Sequence, residues 1–306
     1  MSQAKILVTG AGGMLGSDLV QTLEYEYEVY GMVRQQDARP RFFSGDITDR
    51  LSTVKHIERI QPRVVIHAAA MTDVDGCETD RPRAMKVNFE GTKNVVDGCR
   101  HVKGILIYFS TDFVFDGTSR EPYRESHIPN PINVYGETKL LGEFYVKSQS
   151  IDHLIIRTAW TYGAKGDHFM AKILRKGGES SQIHVVKDQV GSPTYTKDIA
   201  EALARILRLI LSEEGKETLN AIYHMTNDGA ASRYEVAVEL LKRAGCRDVL
   251  VCPITSDELQ NAAKRPLFSV LDNSRVQKKF SVKFRNWKDA LNDYIGQFAP
   301  VRERKL

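Results

Sequence analysis

At 306 residues the chain is longer than one hydrophobic core usually serves, so a large domain with a smaller lobe, and a cleft between them, is the first expectation. With 42% hydrophobic residues, 27% charged residues and a formal charge of +4, the composition is that of an ordinary globular protein and sets no requirement for nucleic acid. The four cysteines, Cys77, Cys99, Cys246 and Cys252, show no C-x-x-C spacing and no histidine at ligand offsets, which argues against disulfides and structural zinc and for reduced thiols.

The start, MSQAKILVTG, enters an apolar strand without a basic n-region, a long apolar h-region or a small-residue cleavage site. The longest apolar runs, RVVIHAAA and KGILIYF, fall far short of a membrane span, so a cytoplasmic protein with no membrane partner is expected. KILVTG, EVYGMV, RVVIHAAA, GILIYFS and HLIIRTAW read as strands. GSDLVQTLEY, TVKHIERIQ, RAMKVNFEGTKNVVDGCR and GETKLLGEFYVKS read as the helices between them. Near-continuous apolar strands alternating with helices predict an α/β fold, a doubly wound parallel sheet over residues 1–160. Residues 161–306 are richer in turn residues and predict a smaller C-terminal substrate-binding lobe. Within them DIAEALARILRLILSEEG predicts an amphipathic helix over 197–214 that packs back on the large domain. Lys187 and Asp188 read as a strand-end charge pair, and the basic residues Arg302, Arg304 and Lys305 as a solvated tail.

Directly after the first strand, Gly10, Gly13 and Gly16 make G-x-x-G-x-x-G in TGAGGMLGSDLV. A tight turn, a close backbone approach and close helix–strand packing each call for glycine there, and the helix start at Met14 and Leu15 would face a pyrophosphate. This is the pattern of a dinucleotide site. At the end of the second strand, where an acidic residue would bind the adenosine ribose, stands Arg34, with Asp37 three residues later. An arginine suits a 2′-phosphate, so NADP(H) is favoured over NAD(H). Asp46 and Ile47 in SGDITD are placed toward the adenine, and Ala68, Ala69 and Ala70 let the chain pass close to the cofactor.

INVYGETKLLGE carries Tyr135 and, one helical turn later, Lys139; of twelve tyrosines only Tyr135 has a lysine at that offset. A phenol has a reference pKa near 10, and the Lys139 charge is expected to bring it into working range as a proton donor. Upstream, STDFVFDG puts Ser110, Thr111 and Asp112 at a strand C-terminus, where ligands sit in open α/β sheets. The Thr111 hydroxyl is placed to share the hydrogen bond to the reacting oxygen.

With these residues, and Asn88 in KVNFEGTKN, the chain resembles an extended short-chain dehydrogenase/reductase of the Rossmann type. More narrowly it resembles the dTDP-4-dehydrorhamnose reductase family, through HAAAMTDVDGCE, FSTDFVFDG, PINVYGETKLLGE, RTAWTYG, KDQVGSPTYT and KRPLFSVLD. The likeness spans all but about the last two dozen residues. It implies NAD(P)H-dependent reduction of the 4-keto group of dTDP-4-dehydrorhamnose, with Tyr135 protonating the oxygen, Lys139 binding the nicotinamide ribose and Thr111 orienting the carbonyl. It also implies Asn88 near the sheet centre, Trp160 on the sugar, Asp112, Phe113, Gln189, Ser192, Pro193 and Thr194 around it, and Arg265 at the diphosphate. Phe113 stands where a nucleotide-sugar dehydratase would need an acid, which favours reduction over dehydration; epimerases share the cofactor and the set Thr111, Tyr135 and Lys139. The regulatory subunit of S-adenosylmethionine synthetase is also similar, but an intact Tyr135 and Lys139 favour catalysis. Some reductases form a magnesium-bridged dimer through acidic residues. Only Asp18 falls near such a position, so no metal ligand is assigned, and a monomer and a homodimer both remain open.

Overall fold

The structure is a computed structural model that describes residues 3–297, so Arg302, Arg304 and Lys305 lie outside the described residues. Strands β1 (Lys5–Thr9), β2 (Glu28–Val33), β3 (Phe42–Ser44), β4 (Val64–His67), β5 (Ile105–Thr111) and β6 (His153–Thr158) join a seventh, Ala221–His224, in one sheet. Every pairing is parallel, in the order Ala221–His224, β6, β5, β4, β1, β2, β3. The order reverses between β1 and β4, and a crevice opens at the carboxyl ends of the strands where it does.

Alternate residues of the strands feed two cores, because side chains of a strand point to opposite faces. On one face Ile6, Val8, Ile66, Ile107 and Ile156 meet Leu19, Val20 and Leu23 of α1 (Met14–Leu23). They also meet Ile199, Leu203 and Leu207 of the helix Thr196–Ile210. On the other face Leu7, Val65, Leu106 and Ile155 meet Ile57 and Ile60 of α2 (Arg50–Ile60) and Val95, Val96 and Cys99 of the helix Gly91–His101. Residues in β4 and β5 are all buried, which explains their unbroken apolar runs.

Past Trp160 the chain builds a second core from Tyr162, Met170, Ile183, Tyr195, Leu240, Leu241, Trp287 and Leu291. It is interleaved with the first. The helix Thr196–Ile210 lies against α1, and Ala221–His224 pairs with β6, so the polypeptide crosses between the two bodies several times. Asp198 fastens them: it accepts from Arg285 Nη2 at 2.7 Å and Asn227 Nδ2 at 2.6 Å. Asp18 of α1 accepts the Thr196 hydroxyl, and burial raises its carboxyl above the usual range. Lys187 and Asp188 do not pair among the described residues; Asp188 instead accepts the Ser256 amide at 2.8 Å and hydroxyl at 2.8 Å. Also among the described residues, no helix is long and apolar enough to cross a membrane. All four cysteines are free thiols.

Candidate active site

β1 turns into α1 through Gly10, whose φ of 69° is left-handed, and a Cβ there would lie 2.8 Å from the Ala69 backbone. A Cβ on Gly16 would meet the Gly10 carbonyl oxygen at 2.1 Å, so the helix can start this close to the strand only with glycine. Gly13 caps α1 without a side chain, and Gly12 and Gly13 are exposed. The first-turn amides at Met14 and Leu15 therefore have no side-chain cap, and the positive end of the helix is open. Ala68, Ala69 and Ala70 form the opposing wall, partly exposed, with the Ala69 amide donating to Thr9 Oγ1 at 3.3 Å. This cradle fits a pyrophosphate.

At the end of β2, Arg34 is exposed, and among the described residues its guanidinium makes no hydrogen bond and no ion pair. Asp37 is committed to Arg39, accepting from Nε at 3.0 Å and Nη2 at 2.6 Å. That hydrogen bonding holds its carboxyl down to about 2. A free cation beside a neutralised acid suits a 2′-phosphate better than a ribose hydroxyl. Asp46 is exposed and caps its own turn through the Thr48 amide at 2.9 Å, while Ile47 is buried and its carbonyl accepts Asn94 Nδ2 at 2.8 Å.

The helix Val134–Ser148 begins with Asn133, whose Oδ1 accepts the Gly136 amide at 2.8 Å. A Cβ on Gly136 would lie 2.0 Å from the Phe113 carbonyl oxygen, so this start sits directly on the turn after β5. The result is that Tyr135 lies edge-on to Phe113, ring centroids 6.0 Å apart, and faces the Thr111 side chain. Asn88 lies in a π-helical turn, Met85–Glu90, and ties three pieces together. It accepts from the Met71 amide at 2.8 Å and donates to the Met71 carbonyl and Thr138 Oγ1, each at 3.1 Å. Such turns recur at functional sites.

The electrostatics correct one expectation. Burial raises the Tyr135 phenol above its ordinary value, the Asp112 charge adds to the rise, and the Thr111 side chain opposes it; Lys139 is not among the charges acting on the ring. The helical spacing aligns the two residues, but the long lysine chain runs to the floor of the sheet, where Nζ sits 4.2 Å from the centroid of Tyr108. Burial pushes the Lys139 amine down to about 7, against the charge of Glu143. Glu143 itself accepts from Ser110 Oγ at 2.5 Å and from Arg157 Nε and Nη2 at 2.9 and 2.6 Å.

Across the crevice Trp160 is partly buried with a φ of 45°, a conformation side chains rarely adopt. A Cβ on Gly191 would lie 2.3 Å from its ring, so the ring packs against bare backbone. Ser192, Pro193 and Thr194 are buried beside it: the Thr194 amide donates to the Trp160 carbonyl at 3.3 Å, and the Ser192 hydroxyl has no partner among the described residues. Gln189 Nε2 donates to Ser256 Oγ at 3.0 Å. Asp112 is buried, with Oδ2 making no hydrogen bond among the described residues, and burial raises its carboxyl to about 6 against Ser269, Thr111 and the Arg233 charge. Arg265 differs from expectation. Its guanidinium is bonded to Asp75, Nη1 to Oδ1 at 2.8 Å, and to the Ala263 carbonyl at 2.7 Å, so it ties its own segment to the helix Val74–Thr79 instead of standing free for an anion.

Sequence reasoning missed Glu143, Arg157, Asp75 and Arg233. A signal existed for the first two: Glu143 follows Lys139 by one turn, and Arg157 is a charge inside the apolar strand HLIIRTAW, where burial demands a partner. Asp75 and Arg233 carry no local signal.

Residues 4–299 match the RmlD substrate binding domain family. The chain belongs to that family. Among its relatives is the dTDP-4-dehydrorhamnose reductase of Streptomyces griseus, 38% identical over 290 residues, covering 94% of this chain and 91% of the relative. The spore coat polysaccharide biosynthesis protein SpsK of Bacillus subtilis (strain 168) is 34% identical, covering 95% and 96%. The crystal structure of dTDP-4-dehydrorhamnose reductase from Bacillus anthracis str. Ames in complex with NADP superposes with a TM-score of 0.87 at 32% identity, covering 97% of this chain and 100% of that one. This RmlD-family chain shares its overall fold with that structure, the seven-stranded parallel sheet included in the superposed part.

Proposed function

We propose that this protein reduces the 4-keto group of dTDP-4-dehydrorhamnose to give dTDP-L-rhamnose, using NADPH in preference to NADH. The observation that carries the chemistry is the convergence of Thr111, Asp112 and Tyr135 at the end of β5, in the crevice onto which the open glycine cradle also faces. The reduced nicotinamide, when bound, supplies the hydride. Tyr135 keeps its proton at neutral pH, because burial raises the phenol, and releases it to the oxygen as negative charge develops there. Thr111 lies beside that oxygen: without substrate its hydroxyl donates to Asp112 Oδ1 at 3.0 Å and accepts the Phe113 amide at 3.2 Å, and its single proton turns from Asp112 to the oxygen when the carbonyl is bound. Lys139 reaches the nicotinamide ribose from the sheet floor, Arg34 meets the adenosine 2′-phosphate, and Trp160 borders the sugar with the part of its ring that Arg233 leaves uncovered. The partner is a nucleotide sugar, with neither nucleic acid nor membrane required, and the reaction is placed in the cytoplasm.

The test is nicotinamide absorbance with purified protein, NADPH or NADH, and enzymatically generated dTDP-4-dehydrorhamnose. Oxidation of NADPH with stoichiometric formation of the rhamnose nucleotide is expected. Binding of NADPH without oxidation would overturn the reading, and conversion of the sugar without net oxidation would replace it with epimerisation.

A further inference from the structure

Arg233 opens the helix Arg233–Arg243 at the edge of the crevice, and its amide donates to the Gln189 carbonyl at 3.1 Å. The preceding Ser232 pairs with Val190, so the residue is fixed to the same segment that carries the pocket wall. Its guanidinium lies over the Trp160 ring, with Cζ 3.6 Å from the centroid, and 4.8 Å from that of Phe169. Two aromatic rings flank it.

What it lacks is a hydrogen-bonding partner. Among the described residues the Arg233 guanidinium makes no hydrogen bond and no ion pair, although the residue is partly buried. The acid nearest in sequence, Glu235, is spent on the capping box, accepting from the Ser232 amide at 2.7 Å and hydroxyl at 2.9 Å. Asp112 acts on it through space without reaching it, and Arg265, the other cation acting on it, is already bonded to Asp75. Burial pushes the guanidinium down to about 9, and it keeps its charge at neutral pH. Five unspent N–H donors in a planar fork, held on a tryptophan beside the Thr111–Asp112 turn, match an anion with paired oxygens.

We propose that Arg233 binds the diphosphate of the nucleotide-sugar substrate, gripping it edge-on while its face rests on Trp160. This rests on the nucleotide-sugar reading above, and it transfers to Arg233 the part that the family resemblance implied for Arg265. Charge-assisted bonds of this kind carry enough free energy for a ten- to hundredfold effect on affinity.

The test is calorimetric titration of dTDP, and separately of thymidine, into protein saturated with NADP⁺, so that the cofactor cradle is filled. In R233Q, dTDP affinity is expected to fall ten- to hundredfold, with thymidine and NADP⁺ affinities unchanged and the KM for the keto-sugar rising more than kcat falls. R233K, which keeps the charge and loses the fork, is expected to fall between. R233M serves as a second neutral variant if R233Q melts early. Wild-type dTDP affinity in a folded neutral variant would overturn the role of Arg233 alone. Failure of the wild-type protein to bind dTDP, with NADP⁺ bound, would overturn the nucleotide-sugar reading and this proposal together.

Discussion

Glu143 and Arg157 face each other sealed from solvent, with side chains 1% and 2% exposed and Nη2 to Oε2 at 2.6 Å. The pair ties the helix Val134–Ser148 to β6, and Ser110 Oγ of β5 completes the carboxylate's bonding at 2.5 Å. It stands one helical turn beyond Lys139 and contributes the negative charge that opposes the lysine's loss of its proton.

Glu143→Gln leaves Arg157 buried with no counter-charge, and breaking such a pair costs about 3–5 kcal/mol. The expected outcome is a fall of that size in unfolding free energy by urea titration. Glu143→Leu combined with Arg157→Met removes both charges together and is expected to lose less than Glu143→Gln alone; a larger loss in the double variant would show that the ion pair is not the source.

Tyr135→Phe keeps the ring against Phe113 and removes only the proton donor. A fall in kcat of about 10²–10⁴ is expected, with NADPH affinity within a factor of two of wild type by nicotinamide fluorescence titration. Undiminished turnover would mean that another group delivers the proton.

The elements of the large sheet are legible because each is a local pattern: EVYGMV forms β2 with its bounds unchanged, and the apolar face of DIAEALARILRLI becomes the contact with α1. The glycine cradle is legible for the same reason, since the clash that forbids a Cβ on Gly16 is with Gly10, six residues away. What sequence spacing does not carry is side-chain direction and long-range pairing. Lys139 is in register with Tyr135 yet lies over Tyr108. Arg265 finds Asp75 across 190 positions, and no pattern announces it. The left-handed Trp160 is held by its tertiary surroundings, with Gly191 and Thr194 against it, and nothing in RTAWTYG signals it.

Arg34→Glu replaces a cation at the end of β2, unpaired among the described residues, with an acid able to accept from a ribose hydroxyl. The KM for NADPH is expected to rise at least tenfold, about 1.4 kcal/mol or more, while that for NADH stays level or falls. Equal losses for both cofactors in steady-state assays would place the 2′-phosphate elsewhere.

Asp112 gives the fold a pH dependence of definite sign. Burial raises its carboxyl from 3.8 to about 6, so between those values the folded protein holds a proton that the unfolded chain has released. Stability from this residue therefore falls as the pH rises from about 4 to about 6, by roughly 3 kcal/mol, and the full penalty stands above that window. Lys139 works in a separate window: burial lowers its amine from 10.5 to about 7, so the unfolded chain binds the extra proton and stability recovers as the pH rises through that range. The total acid-side slope also carries His67 and His224, which burial pushes from 6.5 down to about 3 and which therefore add stability as the pH rises there, so each residue is read from the difference between wild type and variant. Unfolding free energy of wild type minus that of Asp112→Asn, from urea titrations, should decline across the acid window and stay level in the alkaline one, and the difference from Lys139→Met should rise only in the alkaline one. A difference from Asp112→Asn that does not change across the acid window would show that Asp112 is not raised by burial.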